Sequence, residues 1–180
     1  MVFKKRYLAN QSGFTLVELL VVIFIMSLLT SLILISYRSS EKRYALNQAA
    51  QQLVSNLRKA QSMAMSGVGI REQYCGYGIK VDSGSSPGSY IFYADKSGNC
   101  QNSNNKYDAS DDIIETINLP NQIIIQASSP ADFFFKSPDP TTYINQVSVS
   151  GVGRTITLEV ESGSLSKMIT ITTAGLIQSN

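Results

Sequence analysis

Residues 13–35 read GFTLVELLVVIFIMSLLTSLILI, and the fold follows from how this run is understood. A helix needs about 20 apolar residues, at a 1.5 Å rise each, to cross a bilayer, so the run is long enough. Its one charged residue is Glu18. A carboxylate at the centre of such a span costs roughly 2.5–3.5 kcal/mol on insertion scales, so its presence needs a reason. One reading is modest: Glu18 lies only about 6 Å along a helix from Phe14, close enough to the interface for its side chain to reach the headgroups. The flanks point further. Lys4, Lys5 and Arg6 precede the run, and Gly13 stands directly before it. A secretory signal peptide carries its small-residue cleavage site after the apolar stretch, the reverse of this order. A cut at Gly13 would leave the apolar segment on the mature chain, starting at Phe14.

The order of Lys4, Lys5, Arg6, Gly13, Phe14, Glu18 and the apolar run resembles the class III signal of type IV pilins and of the pseudopilins of type II secretion. The resemblance implies that a prepilin peptidase cuts between Gly13 and Phe14 on the cytoplasmic side and methylates the Phe14 amine. It also implies that Glu18 pairs with the terminal amine of a neighbouring subunit in a filament. The pairing is physically sensible, because two opposite charges in low dielectric compensate each other and each alone is penalised. The implied organisation is a leader over 1–13, the transmembrane half of a helix over 14–37, its amphipathic half over 38–66 and a β-rich head over 67–180. Within the head, LRKAQSMA at 57–64, YIFYAD at 90–95 and ITITTAGLI at 169–177 occur in an order similar to that of H-type minor pseudopilins and related minor pilins. In that family such subunits sit near the filament tip or prime its assembly.

Charge is informative once it is divided along the chain. The leader carries three of the fifteen cations; the remaining twelve face thirteen acids. Beyond Ser66 seven basic residues stand against eleven acidic ones, so the head is acidic. The positive-inside rule is close to a tie, because Arg38, Lys42 and Arg43 flank the far end of the run. Cys75 and Cys100 are the only cysteines. One reading is a disulfide closing a loop of about 25 residues, which contributes on the order of 3 kcal/mol in the chain-entropy model. Since disulfides persist outside the cytoplasm, it would place the head there, with the chain held in the inner membrane before assembly. The other reading is two free thiols.

From Arg38 the sequence turns amphipathic without a break. Leu46, Ala50, Leu53, Leu57, Ala60 and Ala64 recur at spacings of three and four, one apolar helical stripe. Residues 14–66 hold no proline or glycine, so one continuous helix is expected, stopped by Gly67 and Gly69. Many major pilins have a helix-kinking proline in the membrane half, where this chain has Ile35. Beyond Gly69 short segments rich in β-branched and aromatic residues predict strands at 78–81, 89–93, 113–117, 122–126, 133–136, 146–150, 155–161 and 168–173. Turn signals separate them, including 83–88, 97–99, 137–140 and 151–153. The alternation of TITLEVE over 155–161 predicts a strand with one buried face, packed as part of a sheet on the helix stripe. Residues 95–112, rich in Asn, Ser and Asp, read as a long surface loop that supplies no core. The fold class is α+β: a long amino-terminal helix packed on an antiparallel β-rich head.

Residue chemistry narrows the function. The chain has no histidine, which excludes Ser-His-Asp and Cys-His arrangements and His-ligated zinc. No phosphate-binding glycine loop is present. Neither an enzyme nor a cofactor or metal site is expected. Acidic clusters at 95–99 and 108–112 offer oxygen ligands of the kind calcium takes, without EF-hand spacing, and solvated loop acids are the plainer reading. Nucleic acid is not an expected partner, because affinity for it is supplied mainly by phosphate neutralisation and the head is acidic. The expected partners are prepilin peptidase, other pilin or pseudopilin subunits and inner-membrane lipid. The alternatives are a ligand-binding minor pilin, serving DNA uptake or adhesion, and a single-span anchored domain that never assembles.

Overall fold

The computed structural model describes residues 13–67, 74–97, 99–126, 129, 132–138, 141–148, 153–163 and 165–180, with the side chains of 34–39 outside the description. The described residues form a helix, α1 (Leu16–Ser66), and nine strands. These are β1 (Gly76–Asp82), β2 (Ser89–Asp95), β3 (Asp112–Asn118), β4 (Ile123–Ile125), β5 (Asp132–Lys136), β6 (Thr142–Ile144), β7 (Gly153–Val160), β8 (Ser166–Thr172) and β9 (Ile177–Ser179). The fold is α+β and pilin-like. By its contacts the chain divides into residues 1–40 and 41–180.

In the first unit α1 is helical through Ile35, the position where a proline would have broken its ladder. In the second unit Leu46, Ala49, Ala50, Leu53, Val54, Leu57, Ala60 and Ala64 form one buried stripe. The small alanines let backbone and sheet approach closely, and the leucines fill the spaces between. Gly67 ends the helix in a left-handed conformation (φ 61°), which glycine adopts without a Cβ penalty.

The strands make two antiparallel sheets rather than the one expected. The five-stranded sheet runs β3-β2-β1-β5-β6 and the four-stranded sheet β4-β7-β8-β9. The helix stripe shares one core with Tyr77, Ile79, Tyr90, Phe92, Phe133 and Phe135 of the first sheet and with Ile123, Ile125, Ile156, Leu158, Val160, Ile169 and Ile171 of the second. The alternation predicted for 155–161 is present, with Ile156, Leu158 and Val160 buried. The loop between β1 and β2 joins the sheets. Gly84 and Gly88 donate their N–H groups to Ile125 and Ile123 at 2.9 Å, closing the outer edge of β4. Polar side chains fasten the helix. Gln61 Nε2 donates to the Gly175 carbonyl at 2.9 Å, and Asn56 Nδ2 to the buried Tyr90 hydroxyl at 3.0 Å.

Four strand-level expectations need correction. No strand runs through 146–148; instead Asn145 and Gln146 both have positive φ (49° and 69°), folding Val147 back onto Ile144 in a tight turn. The strand there is β6, which begins four residues earlier, and 149–150 lie outside the described residues. β9 went unread because three residues after a Gly-Leu turn carry no usable periodicity. Gly153 belongs to β7 rather than to a turn, paired with Thr172. Residues 95–112 are not merely surface: Asp95 ends β2 at 2 % exposure, and Asp111 is buried as well.

Candidate functional site

The amino-terminal segment is built by a helix start. Thr15 is the capping residue: its carbonyl accepts the first helical bond from the Leu19 N–H (3.2 Å), and its hydroxyl accepts from the Glu18 N–H (3.3 Å). Glu18 therefore occupies the third helical position, where a carboxylate is favoured by the helix dipole. Its side chain is exposed, as are Gly13 and Phe14, the latter at 80 %. Open space surrounds Gly13: a Cβ there would meet nothing within 4 Å. Lys4, Lys5 and Arg6 lie outside the described residues. The spacing Thr15-x-x-Glu18 is a legible capping signature that the membrane reading of Glu18 passed over.

Residues Leu16–Ile33 form a helix long and apolar enough to span a membrane, with mean hydropathy 2.7 and none of the window buried. Two of its three hydroxyls are satisfied internally. Ser27 Oγ donates to the Phe24 carbonyl and Thr30 Oγ1 to the Met26 carbonyl, both at 2.8 Å. In lipid every polar group needs such a partner, so these residues add no unmet donor to the surface. What the helix offers is a continuous apolar exterior carrying one acid near its start.

In the head, Cys75 and Cys100 are joined in a disulfide, with Cα atoms 5.0 Å apart. The bridge ties residues 99–111 to the outer face of the five-stranded sheet. There the Tyr93 hydroxyl donates to Asp132 Oδ1 at 2.7 Å, and the Tyr107 N–H to Oδ2 at 2.8 Å. Burial pushes the Asp132 carboxyl up to about 6, against the pull of these two donors and of Lys80. Burial, and then the Asp132 charge, push the Tyr93 hydroxyl up as well. The Tyr107 ring meets Tyr93 edge-on with centroids 5.2 Å apart, and Lys80 Nζ lies 4.7 Å over the Tyr107 ring. Gly76 and Gly78 form the floor, since a Cβ on either would collide with Phe134 or Tyr93. Nothing in the sequence pairs Tyr93 with Asp132, 39 residues apart, so this cluster is legible only in the structure.

The acidic clusters considered for calcium are occupied by the chain's own donors. Asp111 accepts from the Lys96 and Asp108 N–H groups (3.1 and 2.8 Å), and Asp108 accepts from the Ser110 N–H and from Asn104 Nδ2 (2.8 and 2.7 Å). The Ser110 hydroxyl and N–H hold the Asp108 carboxyl below its ordinary range. These carboxylates staple turns. Among the described residues no group of three or more His, Cys, Asp or Glu side chains is placed to hold a metal ion. Of the head's cations, Lys80 lies on Tyr107, Lys96 pairs with Asp112 at 3.4 Å and Lys167 donates to Asn47 at 2.9 Å, so these three are engaged within the chain.

Residues 8–34 match the family described as the prokaryotic N-terminal methylation motif. No curated protein and no solved structure is detectably similar to the chain. The match is the signal of type IV pilins and pseudopilins, and it coincides with the capped helix start and the apolar exterior. The match supports a type IV pilin-like or pseudopilin-like chain. The signal implies processing by prepilin peptidase and assembly with other pilin subunits. The apolar helix agrees with a membrane anchor.

Proposed function

We propose that this chain is a non-enzymatic minor pilin or pseudopilin. It is cut between Gly13 and Phe14, methylated on the Phe14 amine, held in the inner membrane with its head outside the cytoplasm, and assembled into a type II secretion pseudopilus or a type IV pilus. The observation that carries the reading is the coincidence, within six residues, of the methylation motif, a Thr15-capped helix start and an exposed acid that opens an unburied apolar helix. Glu18 supplies a carboxylate for the amine of a neighbouring subunit, and the apolar exterior that faces lipid before assembly faces other helices afterwards. The implied organisation is a leader over 1–13, a membrane half over 14–37, an amphipathic half over 38–66 and a head over 67–180. Lys4, Lys5 and Arg6 are the leader's cytoplasmic charge. Mass spectrometry of the amino terminus, combined with localisation in sheared surface filaments, tests the reading. A mature chain beginning at methylated Phe14 and present in filaments is expected; an intact Met1 in peptidase-positive cells overturns it.

A further inference from the structure

We propose that residues 99–111 are a redox-locked strap, closed over the outer face of the five-stranded sheet only while Cys75 and Cys100 are bonded. The strap folds largely on itself. Its turns are held by its own side chains: Asn99 Oδ1 accepts from the Gln101 N–H, Asn104 Oδ1 from the Lys106 N–H, and Asp111 Oδ2 from the Asp108 N–H. It can thus keep its shape whether docked or free. Its hold on the sheet is narrow by comparison. Tyr107 supplies the one large ring, set on Tyr93, and its N–H reaches Asp132. Ser103 Oγ donates to Asp95, and Gln146 Nε2 donates to the Asn104 carbonyl at 3.2 Å.

The docked state also carries a penalty. The Asn105 Oδ1 is buried without a hydrogen-bond partner among the described residues. Beyond these contacts, the Lys80–Tyr107 contact, the Lys96 N–H bond to Asp111 and the β2–β3 pairing at its ends, the Cys75–Cys100 bond is the strap's covalent cross-link to the sheet. The bond forms when the two thiols are oxidised by a disulfide-bearing oxidant. The Cys75–Cys100 bond forms as the oxidant's own disulfide is reduced to two thiols, which take the two protons. Beneath the strap lie Tyr93 and Phe134, stacked with centroids 6.4 Å apart over Gly76 and Gly78. Before oxidation the head presents an aromatic strip; afterwards it presents a polar, capped face. That the switch falls at the membrane crossing rests on the extracytoplasmic head proposed above, whereas the opening of the strap does not.

Hydrogen exchange on the full chain in detergent micelles, oxidised against reduced by a phosphine, tests this directly. After reduction the Tyr107 amide is expected to exchange through local opening, faster than in the oxidised chain and faster than the core amides of the same head. Amides of the β7–β8 ladder, which open only with the whole head, should speed up by at most about a hundredfold, the scale of the constraint on the unfolded chain that reduction removes. Unchanged Tyr107 exchange overturns the proposal, as does a Tyr107 rate in the reduced chain equal to that of the β7–β8 amides, since the head would then open as a whole. Cys100→Ser, which leaves the buried Cys75 in place, should reproduce fast Tyr107 exchange without reductant; slow exchange there also overturns the strap. None of these readouts depends on filament assembly, so failure of the strap and failure of the pilin reading are separable.

Discussion

In the first part of α1, Leu28 and Ile33 are 53 % and 67 % exposed, whereas Leu53 and Leu57 in the second part are fully buried. The two stretches share one helix and much the same residue types, yet one spends its apolar surface within the chain and the other leaves it outside. A stripe at spacings of three and four finds its partner in the head's own sheets. A helix apolar all round has no such partner in its own chain, and it must be covered by lipid or by other helices. The contrast teaches that the second part of α1 specifies the fold, and that the first part reserves its surface for other molecules.

The sharpest way to break the contrast is at the junction with the leader. Gly13→Val should abolish processing, leaving an intact amino terminus by mass spectrometry, while the head's unfolding stays unchanged because nothing packs against Gly13. Glu18→Ala should still be processed and inserted, with an unaltered head, but should be lost from sheared filaments; wild-type incorporation would make Glu18 an ordinary interfacial acid. Leu53→Ala should destabilise the head by about 3 kcal/mol in denaturant titration, the cost of a cavity in a packed core. Leu28→Ala should shift the same transition by less than about 0.5 kcal/mol, as expected of a side chain outside that core.

Two smaller effects probe the outer face of the five-stranded sheet, set against the helix-covered inner one. The Asp132 carboxyl lies near 6 in the folded head, above its unfolded value, so the native state takes up a proton first. Its contribution is therefore complete below about pH 4, falls as pH rises to about 6 and is level beyond. Over that window head stability should drop by on the order of 2–3 kcal/mol. Asp132→Asn should flatten the slope; a slope that persists assigns the effect elsewhere. Gly78→Ala should cost about 1–3 kcal/mol by calorimetry, since its Cβ would overlap the Tyr93 ring. A neutral result would mean that the outer aromatic layer is loosely packed.

Much of this molecule was readable from local pattern. The span, the leader order and the six-residue stripe from Leu46 to Ala64 all depend on sequence spacing of a few residues, which is the range over which a helix repeats. Most strands were also legible, because alternation and turn residues act locally. Reading failed where a contact joins distant segments. Tyr93 and Asp132, Gln61 and Gly175, and the division of nine strands into two sheets depend on pairings that no window of sequence contains. Asp95 and Asp111 looked like solvated loop acids because their composition is polar, and their burial depends on donors folded around them. The residues alone showed a long apolar helix, its amphipathic continuation and the signal before it, since hydrophobicity and helical period are properties of short stretches. Which face of the head is capped, and by what, was settled by packing, because burial and hydrogen-bond partners exist only once the chain has closed on itself.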